Sequence, residues 1–261
     1  MPDMSSNPQR RDDVAWNPTE LAENPHQSTE KAGKVRSMFA SIAGSYDLNN
    51  RLHSFGLDQS WRRRTVALAG VRDGDAALDM ACGTGDLTEA FLRTGAPEVI
   101  GGDFTPEMLD QARRKAARLP EGSRPVYEHA DAMNLEYDDQ RFDVVTIAFG
   151  IRNVTDPAAA IREFARVLRP GGRLVILEFA EPRNPLIRWG NRFYTMRVMP
   201  WTASMVARDG SGAYRYLPRS IETFLDPEQL AELMRGAGLV VQRQVPLTFG
   251  VCVASLGVRE P

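Results

Sequence analysis

A short apolar segment that runs into two closely spaced glycines constrains the fold of this chain more than any other feature. Residues 78–87 read Leu-Asp-Met-Ala-Cys-Gly-Thr-Gly-Asp-Leu. This pattern predicts a buried β-strand, a tight turn at Gly83 and Gly85, and a helix that begins directly after the turn. Backbone N–H groups at the start of such a helix can approach a ligand closely. The segment therefore predicts a site for a nucleotide-like ligand.

Two side chains beside the glycines narrow the choice of ligand. Dinucleotide-binding turns carry a third glycine where this chain has Thr88. The carboxylate of Asp79 disfavours a pyrophosphate and favours a ligand with an ammonium or sulfonium group. S-adenosylmethionine carries both cations and no phosphate, so it is the predicted cofactor. A turn that binds nothing stays open as an alternative, whereas an NAD-linked oxidoreductase is disfavoured.

Length, charge and cysteine content set broad limits. The chain has 261 residues and a net charge of −2, which suits an α/β domain with additions and gives no indication of nucleic-acid binding. Its two cysteines, Cys82 and Cys252, lie far apart without metal-ligand spacing, so neither a disulfide framework nor a metal site is expected. We expect a cytoplasmic protein, soluble or peripheral to a membrane, because no signal peptide or long apolar run is present.

The N-terminal part of the chain differs in composition from the rest. Residues 1–30 are rich in Pro, Asn, Ser, Gln and Glu without apolar periodicity, which predicts a disordered leader. The catalytic domain is predicted over residues 31–261. Within it, residues 31–70 form a helical lead-in, with helices on either side of the polar stretch at residues 46–50.

From residue 76 onward, strand and helix patterns alternate. Several strand candidates are apolar throughout, as burial on both faces of a parallel sheet requires. The predicted strands are Ala76–Ala81, Glu98–Phe104, Pro125–His129, Phe142–Phe149, Arg173–Phe179, Leu239–Leu247 and Phe249–Val258. The alternation predicts an α/β fold with a doubly wound, mostly parallel seven-stranded sheet that closes with an antiparallel C-terminal hairpin.

Polar side chains follow four successive strands at their carboxyl ends, where ligands bind in open α/β sheets. Asp103 follows Gly85 by 18 residues, the position at which an acid binds the ribose hydroxyls of an adenosine. Asp131 is placed to accept from the adenine amino group, and Ala132 supplies backbone contact. Arg152 and Asn153 follow the fourth strand.

At this point the chain resembles a class I S-adenosylmethionine-dependent methyltransferase, and within that class the ubiquinone/menaquinone biosynthesis C-methyltransferase family. The resemblance covers residues 35–257, and its most specific motifs are Phe149-Gly150-Ile151-Arg152-Asn153 and Tyr214-Arg215-Tyr216-Leu217. The other matching segments are residues 46–61, 78–88, 142–154 and 166–173.

The resemblance implies cofactor contacts at Thr84, Asp103, Asp131 and Ala132. It further implies that the acceptor is a prenylated quinol, which would be demethylmenaquinol in an organism that uses menaquinone. A benzoquinol acceptor, another small-molecule acceptor and a noncatalytic cofactor-binding scaffold stay open as alternatives.

Methylation of a ring carbon requires that a neighbouring hydroxyl group lose its proton. We expect Arg152 to stabilise the resulting phenolate, since a guanidinium is a poor proton acceptor. Asn153 is expected to orient the ring or a water molecule. Tyr46 resembles the family's N-terminal tyrosine that covers the acceptor pocket, and the resemblance implies that it hydrogen-bonds the phenolate oxygen. His53 stays open as a base because histidine titrates near neutrality.

A basic, aromatic segment between residues 182 and 217 is predicted to form a lid over the acceptor. Residues 182–208 contain five arginines and no acid, interleaved with Trp189, Phe193, Tyr194 and Trp201. This composition is typical of a membrane surface contact, to which Arg62-Arg63-Arg64 would add charge. A homodimer contact could use the same surface.

Overall fold

The computed structural model describes residues 15–96, 98–199 and 212–260. Seven strands lie within these ranges. They are β1 (Ala76–Met80), β2 (Glu98–Asp103), β3 (Val126–His129), β4 (Phe142–Ala148), β5 (Leu168–Phe179), β6 (Leu239–Leu247) and β7 (Cys252–Arg259). All seven join in one sheet with the order β3-β2-β1-β4-β5-β7-β6.

Helices precede the sheet, connect its strands and cover the ends of its central strands. They are α1 (Pro18–Ala22), α2 (Lys31–Ile42), α3 (Tyr46–His53), α4 (Leu57–Ala69), α5 (Asp86–Leu92), α6 (Pro106–Ala116), α7 (Pro157–Val167), α8 (Pro185–Phe193), α9 (Ala213–Glu222) and α10 (Pro227–Gly236). Short 3₁₀ turns occur at residues Pro25–Gln27, Glu121–Ser123, Ile151–Asn153 and Thr248–Gly250.

The sheet has the predicted topology. Strands β1 to β5 pair in parallel, and β7 lies antiparallel between β5 and β6. The doubly wound, mostly parallel sheet with an antiparallel C-terminal hairpin is therefore confirmed. The strand order reverses between β1 and β4, which places the ligand site beyond the carboxyl ends of these two strands.

Both faces of the central strands are buried. Helices α7 and α10 cover one face, where Ile161 and Met234 are fully buried, and α4 and α5 cover the other, where Phe91 is fully buried. This two-sided burial explains why β1 and β4 read as almost continuous apolar runs.

The structure differs from the predicted leader over residues 15–30. Trp16 is fully buried and stacks on Tyr216, with the ring centroids 4.8 Å apart. The side chain of Asn17 accepts from the Glu20 N–H and caps α1. One large aromatic side chain thus anchors a segment whose average composition is typical of disorder. The predicted leader residues 1–14 lie outside the described residues.

The helical lead-in is present, but its polar stretch was assigned wrongly. Residues 46–50, predicted to separate two helices, begin α3. Asp47 in this stretch accepts hydrogen bonds from two polar groups of other segments, the Lys115 ammonium at 2.9 Å and the Thr84 hydroxyl. A helix stabilised by such tertiary contacts carries no apolar periodicity of its own.

Part of the predicted lid can be described. Helix α8 continues into a π-helical turn at Tyr194–Val198, and α9 begins at Ala213. The intervening lid residues 200–211, among them Trp201 and Arg208, lie outside the described residues. Among the helices that are described, none has both the length and the apolar composition needed to span a bilayer.

Gly85 offers a direct test of the packing behind the glycine turn. Its φ angle is +86°, and a Cβ atom would lie 2.1 Å from the Tyr127 hydroxyl oxygen. Gly74 has a similar φ angle of +89° but nothing within 4 Å of the same position. Gly85→Ala is therefore expected to lower the free energy of unfolding by about 1–3 kcal/mol more than Gly74→Ala, since only the former adds overpacking to backbone strain. Urea denaturation measures both; equal losses would contradict the packing argument.

Candidate active site

A cavity lies beyond the carboxyl ends of β1, β2 and β4. It is lined by several of the residues that the sequence predicted for the cofactor: Gly83, Asp103, Asp131 and Ala132. Helix α2 covers it with Ala32, Val35, Arg36 and Phe39, and apolar side chains such as Phe104 and Met108 complete the walls. We refer to it as the donor cavity.

Asp103 is held rigidly at the end of β2. Its Oδ2 accepts from the Gly83 N–H and its Oδ1 from the Thr105 N–H, both at 2.8 Å. Burial raises the pKa of this carboxyl above its usual value, and the two backbone hydrogen bonds oppose that rise. Each oxygen keeps a lone pair for a ligand. This geometry suits a carboxylate that binds a pair of neighbouring hydroxyl groups.

Asp131 and Ala132 lie at the adjacent edge of the donor cavity. Asp131 is half-buried, and its Oδ1 accepts from the Met133 N–H at 2.9 Å. Its second oxygen is without a hydrogen bond to the described residues. This oxygen is therefore available to a ligand in the donor cavity.

Two of the predicted cofactor residues have other partners. Asp79 is 1% exposed beneath the turn, where its oxygens accept from the hydroxyls of Thr88 at 2.7 Å and Thr146 at 2.8 Å. Burial raises its pKa to about 6. The hydroxyl of Thr84 donates to Asp47. Neither residue is among those that line the donor cavity, and neither is the predicted Gly85, so the structure does not bring these three together with Asp103 and Asp131 there.

A second cavity adjoins the first and is more aromatic. Trp61, Phe149 and Phe179 form its wall, with ring centroids of the two phenylalanines 4.5 Å apart. Helices α3, α4, α8 and α9 contribute further lining, including His53, Asp58, Tyr194 and Tyr216. We refer to it as the acceptor cavity, because its walls suit a flat aromatic molecule.

Arg152 lines the acceptor cavity and is held by a buried ion pair. Its Nη1 donates to Oε1 of Glu178 at 2.7 Å and to the Phe149 carbonyl at 2.8 Å, and its Nε lies 3.4 Å from the Ser220 hydroxyl. The guanidinium also packs over the ring of Phe179 at 5.3 Å. Nη2 donates to none of the described residues, so its N–H groups are available to a ligand.

Asn153 lines the donor cavity, whereas the sequence predicted that it orients the acceptor ring or a water molecule together with Arg152. Its Oδ1 accepts from the Tyr216 hydroxyl at 3.0 Å, and its Nδ2 donates to the Phe149 carbonyl at 3.3 Å. These bonds hold the loop after β4. The side chains separate because Arg152 and Asn153 belong to a 3₁₀ turn, in which neighbouring residues point in different directions.

The two cavities share Phe39, Tyr46 and Phe149. Phe149 has a φ angle of +59°, a strained value for an aromatic residue that is found mostly at functional sites. Burial raises the pKa of Tyr46, and the charge of Arg62 is the largest opposing influence. A group bound in one cavity can therefore reach a group bound in the other past these three side chains.

The histidines do not form a common site. His53 lines the acceptor cavity, with its Nδ1 2.8 Å from the Asn49 carbonyl. His26 packs on Phe224 and lies 2.8 Å from the Ser220 carbonyl, and burial lowers its pKa to about 4. His129 is exposed at the end of β3 beside Phe104.

Three functional features were missed by sequence reasoning. Glu178 is an acidic residue within the apolar strand β5, and this pattern could have predicted a buried, positively charged partner. Phe39 lines both cavities but lies on the apolar face of α2, where the sequence pattern gives no sign of a role beyond packing. The buried position of Arg62 contradicts its expected role at a lipid surface, and no local pattern distinguishes it from the exposed Arg63 and Arg64.

Comparison with known proteins identifies a sequence family and individual relatives. The sequence model of the ubiE/COQ5 methyltransferase family matches residues 27–259. A demethylmenaquinone methyltransferase of Thermus thermophilus is 47% identical over 224 residues, which cover 85% of this chain and 100% of the relative. A ubiquinone/menaquinone biosynthesis C-methyltransferase UbiE of Hahella chejuensis is 42% identical over 233 residues, 88% of this chain and 93% of the relative.

Solved structures agree with the fold. The magnesium protoporphyrin IX methyltransferase of Synechocystis PCC 6803, solved with S-adenosylmethionine bound, aligns with a TM-score of 0.61 at 17% identity. The alignment covers 90% of this chain and 99% of that chain. At this identity the similarity establishes the fold alone, and it confirms the class I methyltransferase architecture.

Proposed function

The chain belongs to the ubiE/COQ5 methyltransferase family, and we propose that it transfers a methyl group from S-adenosylmethionine to a ring carbon of a prenylated quinol. The observation that carries this proposal is the pair of adjoining cavities, one with acidic strand ends and one with an aromatic wall, which meet at Phe39, Tyr46 and Phe149. A donor in the first cavity can face a ring in the second while the surrounding helices exclude water.

The donor cavity fits S-adenosylmethionine. Asp103 offers two fixed oxygens for the ribose hydroxyls, and the half-buried Asp131 offers one to the adenine amino group. Phe104, Met108 and Val154 provide apolar surface for the adenine ring. When bound, the donor supplies an electrophilic methyl group on a sulfonium.

Arg152 acts on the acceptor. A ring carbon becomes nucleophilic when the hydroxyl next to it ionises, and Nη2 of Arg152 stabilises the negative charge on that oxygen. The S–CH₃ bond breaks as the C–CH₃ bond forms. The ring then loses the hydrogen of the methylated carbon as a proton and its oxygen regains the proton given up before methyl transfer. The net reaction therefore releases S-adenosylhomocysteine, the methylated quinol and one proton. Alignment of the reacting groups contributes about 7–11 kcal/mol in favourable cases.

We propose demethylmenaquinol as the acceptor. The support is the Thermus thermophilus relative, whose name refers to this ring and whose whole length is matched. Relatives named for both ubiquinone and menaquinone keep a benzoquinol as the second candidate. Both rings carry a hydroxyl next to the carbon that is methylated.

The test supplies the purified protein with methyl-labelled S-adenosylmethionine and either demethylmenaquinol or the corresponding demethylated benzoquinol, each with a short prenyl tail. Mass spectrometry should detect labelled menaquinol in the first reaction. Labelled benzoquinol as the main product would favour the second candidate. If the protein binds the donor but labels neither ring, another acceptor or a noncatalytic scaffold role replaces this proposal.

We also propose that the rim of the acceptor cavity contacts an anionic membrane surface, where a prenylated substrate resides. Leu186, Trp189 and Phe193 on α8 are 75%, 68% and 55% exposed, and Phe55 at the end of α3 is 76% exposed. Tyr194 connects the two regions, since its ring lies 5.5 Å from Phe55 and its hydroxyl donates to the His53 carbonyl at 3.0 Å.

The charge of this rim favours lipid over a second copy of the chain. Residues 182–199 carry Arg183, Arg188, Arg192 and Arg197, all exposed, and no acid. Arg192 pairs with Glu222 on α9, and the other three arginines leave this surface with an excess of positive charge. Such a surface repels its own copy but attracts anionic headgroups, while the exposed aromatic side chains enter the interface.

The double variant Trp189→Ser/Phe193→Ser is expected to bind vesicles that contain phosphatidylglycerol at least about tenfold more weakly than the unchanged protein, since two large apolar side chains are lost from the interface. Val240→Ser, at an exposed position on β6, is the matched control and should bind normally. Flotation measures binding. Equal flotation of all three proteins would contradict the proposal, and a dimer that the double variant breaks into monomers would assign the surface to self-association.

A further inference from the structure

Arg62 is a buried cation at the acceptor cavity that the proposed reaction does not use. It lies on α4, and its side chain is 9% exposed. Its guanidinium packs over the ring of Phe149 at 5.8 Å, and Phe149 lines both cavities. The next residue, Arg63, points to solvent. Arg62 therefore faces the interior of the site and not a lipid surface.

No protein group in the described part of the chain satisfies Arg62 fully. Its Nε is buried and has no hydrogen-bond partner there. The nearest carboxylate oxygen is Oδ2 of Asp86, at 3.9 Å. Asp86 already has closer partners: Gln59 at 3.1 Å, Arg51 at 3.2 Å, and Lys115. A buried guanidinium N–H without a hydrogen-bond acceptor is destabilising, and the distant Asp86 compensates its charge only partly, which indicates that a ligand supplies the missing acceptor.

The position of Arg62 relative to the glycine turn indicates which ligand. Asp86 directly follows Gly85, so Arg62 lies beside the end of the turn. Tyr46 lies against the other glycine, with its Cε1 3.8 Å from the point where a Cβ of Gly83 would be. The charge of Arg62 also lowers the pKa of Tyr46 against the effect of burial, as expected for neighbouring groups.

We propose that Arg62 binds the carboxylate of an α-amino acid group, the methionine end of the methyl donor. This inference rests on the proposed function for the identity of the donor. With its adenosine at Asp103 and Asp131, the donor would extend across the glycine turn and past Tyr46, which lines both cavities, to Arg62 at the near edge of the acceptor cavity, where Arg62 packs on the shared Phe149. A carboxylate is a permanent anion that a guanidinium can bind through two parallel hydrogen bonds. A quinol hydroxyl is neutral before reaction and is a weaker match for a permanent buried cation.

Titration calorimetry with two donors tests this role. The ligands are S-adenosylmethionine and its decarboxylated analogue, which keeps the adenosine, sulfonium and amino groups. The unchanged protein should bind the first about 10- to 100-fold more tightly, the range expected for a hydrogen-bonded charge pair. In Arg62→Gln this preference should fall below about threefold, and Arg62→Lys should restore part of it. Arg63→Gln, the exposed neighbour, should keep the full preference.

The outcomes separate this inference from the proposed function. If the unchanged protein binds neither ligand, the proposed donor is wrong. If Arg62→Gln weakens both ligands by the same factor, Arg62 is a structural residue and the inference is overturned. It is also overturned if donor binding is unchanged while the KM for the acceptor rises, because the anion would then belong to the acceptor. If Arg62→Gln does not fold, Arg62→Lys is compared with the unchanged protein. A preference of the lysine variant for S-adenosylmethionine over its decarboxylated analogue that is as large as that of the unchanged protein overturns the inference.

Discussion

Replacement of Arg152 by glutamine is expected to lower kcat about 100- to 1000-fold while the Kd for S-adenosylmethionine stays within about twofold. A decrease in kcat of this size is typical when an enzyme loses one group that stabilises the negative charge developing in a site without water. Donor binding should persist because Arg152 lines the acceptor cavity, whereas Asp103 and Asp131 line the donor cavity. The measurements are steady-state kinetics with a soluble short-tailed quinol and donor titration by calorimetry.

The ion pair with Glu178 complicates this variant and must be separated from catalysis. Removal of the arginine leaves a 4% exposed carboxylate without its cation, which destabilises a protein by about 3–5 kcal/mol. The double variant Arg152→Gln/Glu178→Gln removes both charges and should recover most of that stability in thermal unfolding. Its kcat should stay as low as that of the single variant, since the group that contacts the phenolate is still missing.

Arg162→Gln provides the matched control. This arginine lies on α7 with a side chain that is 61% exposed, and it should behave like the unchanged protein in every assay. Recovery of kcat in the Arg152/Glu178 double variant would show that Arg152 acts through the stability of the fold. The assignment of Arg152 to the acceptor oxygen would then be wrong.

The predicted residues that the structure brings together in the donor cavity are those whose position depends on local geometry. Asp103, Asp131 and Ala132 follow predicted parallel strands, and the carboxyl ends of such strands share one edge of the sheet. Knowing the strands was therefore enough to bring these residues together. Asp79 also lies at a strand end, but its side chain points beneath the turn, where Thr88 and Thr146 surround it. The direction of a side chain near the end of a strand depends on where the chain bends, which strand assignment does not determine.

Features built from distant segments were beyond the reach of the sequence. Glu178 and Arg152 are 26 residues apart and meet because β4 and β5 are neighbours in the sheet. Arg62 and Asp86 meet only when α4 packs beside α5. Trp16 stacks on Tyr216, which lies 200 residues further along the chain. In each case the partner is chosen by tertiary packing, and no periodicity within one segment reports it.

Replacement of Asp103 by alanine is expected to weaken binding of S-adenosylmethionine about 100- to 1000-fold. Two hydrogen bonds from the ribose to a charged acceptor are lost, each contributing about 1.5–3 kcal/mol, and part of this is offset by water. The Gly83 and Thr105 N–H groups also lose their acceptor, so the glycine turn becomes less ordered. Asp103→Asn keeps one accepting oxygen and should therefore show a smaller loss than Asp103→Ala. Some loss should remain, because the amide nitrogen cannot accept a hydrogen bond.

Calorimetry with S-adenosylhomocysteine, in parallel with thermal unfolding, distinguishes the ribose contact from a general loss of structure. Asp110→Asn, on the exposed face of α6 with a side chain 59% exposed, is the matched control and should bind normally. A second ligand sharpens the test: an analogue that lacks the ribose 2′-hydroxyl should bind the unchanged protein more weakly, but Asp103→Ala should bind it as well as the parent ligand. If the alanine variant still discriminates between the two ligands, the ribose is held elsewhere, and the acidic end of β2 serves the turn and not the donor.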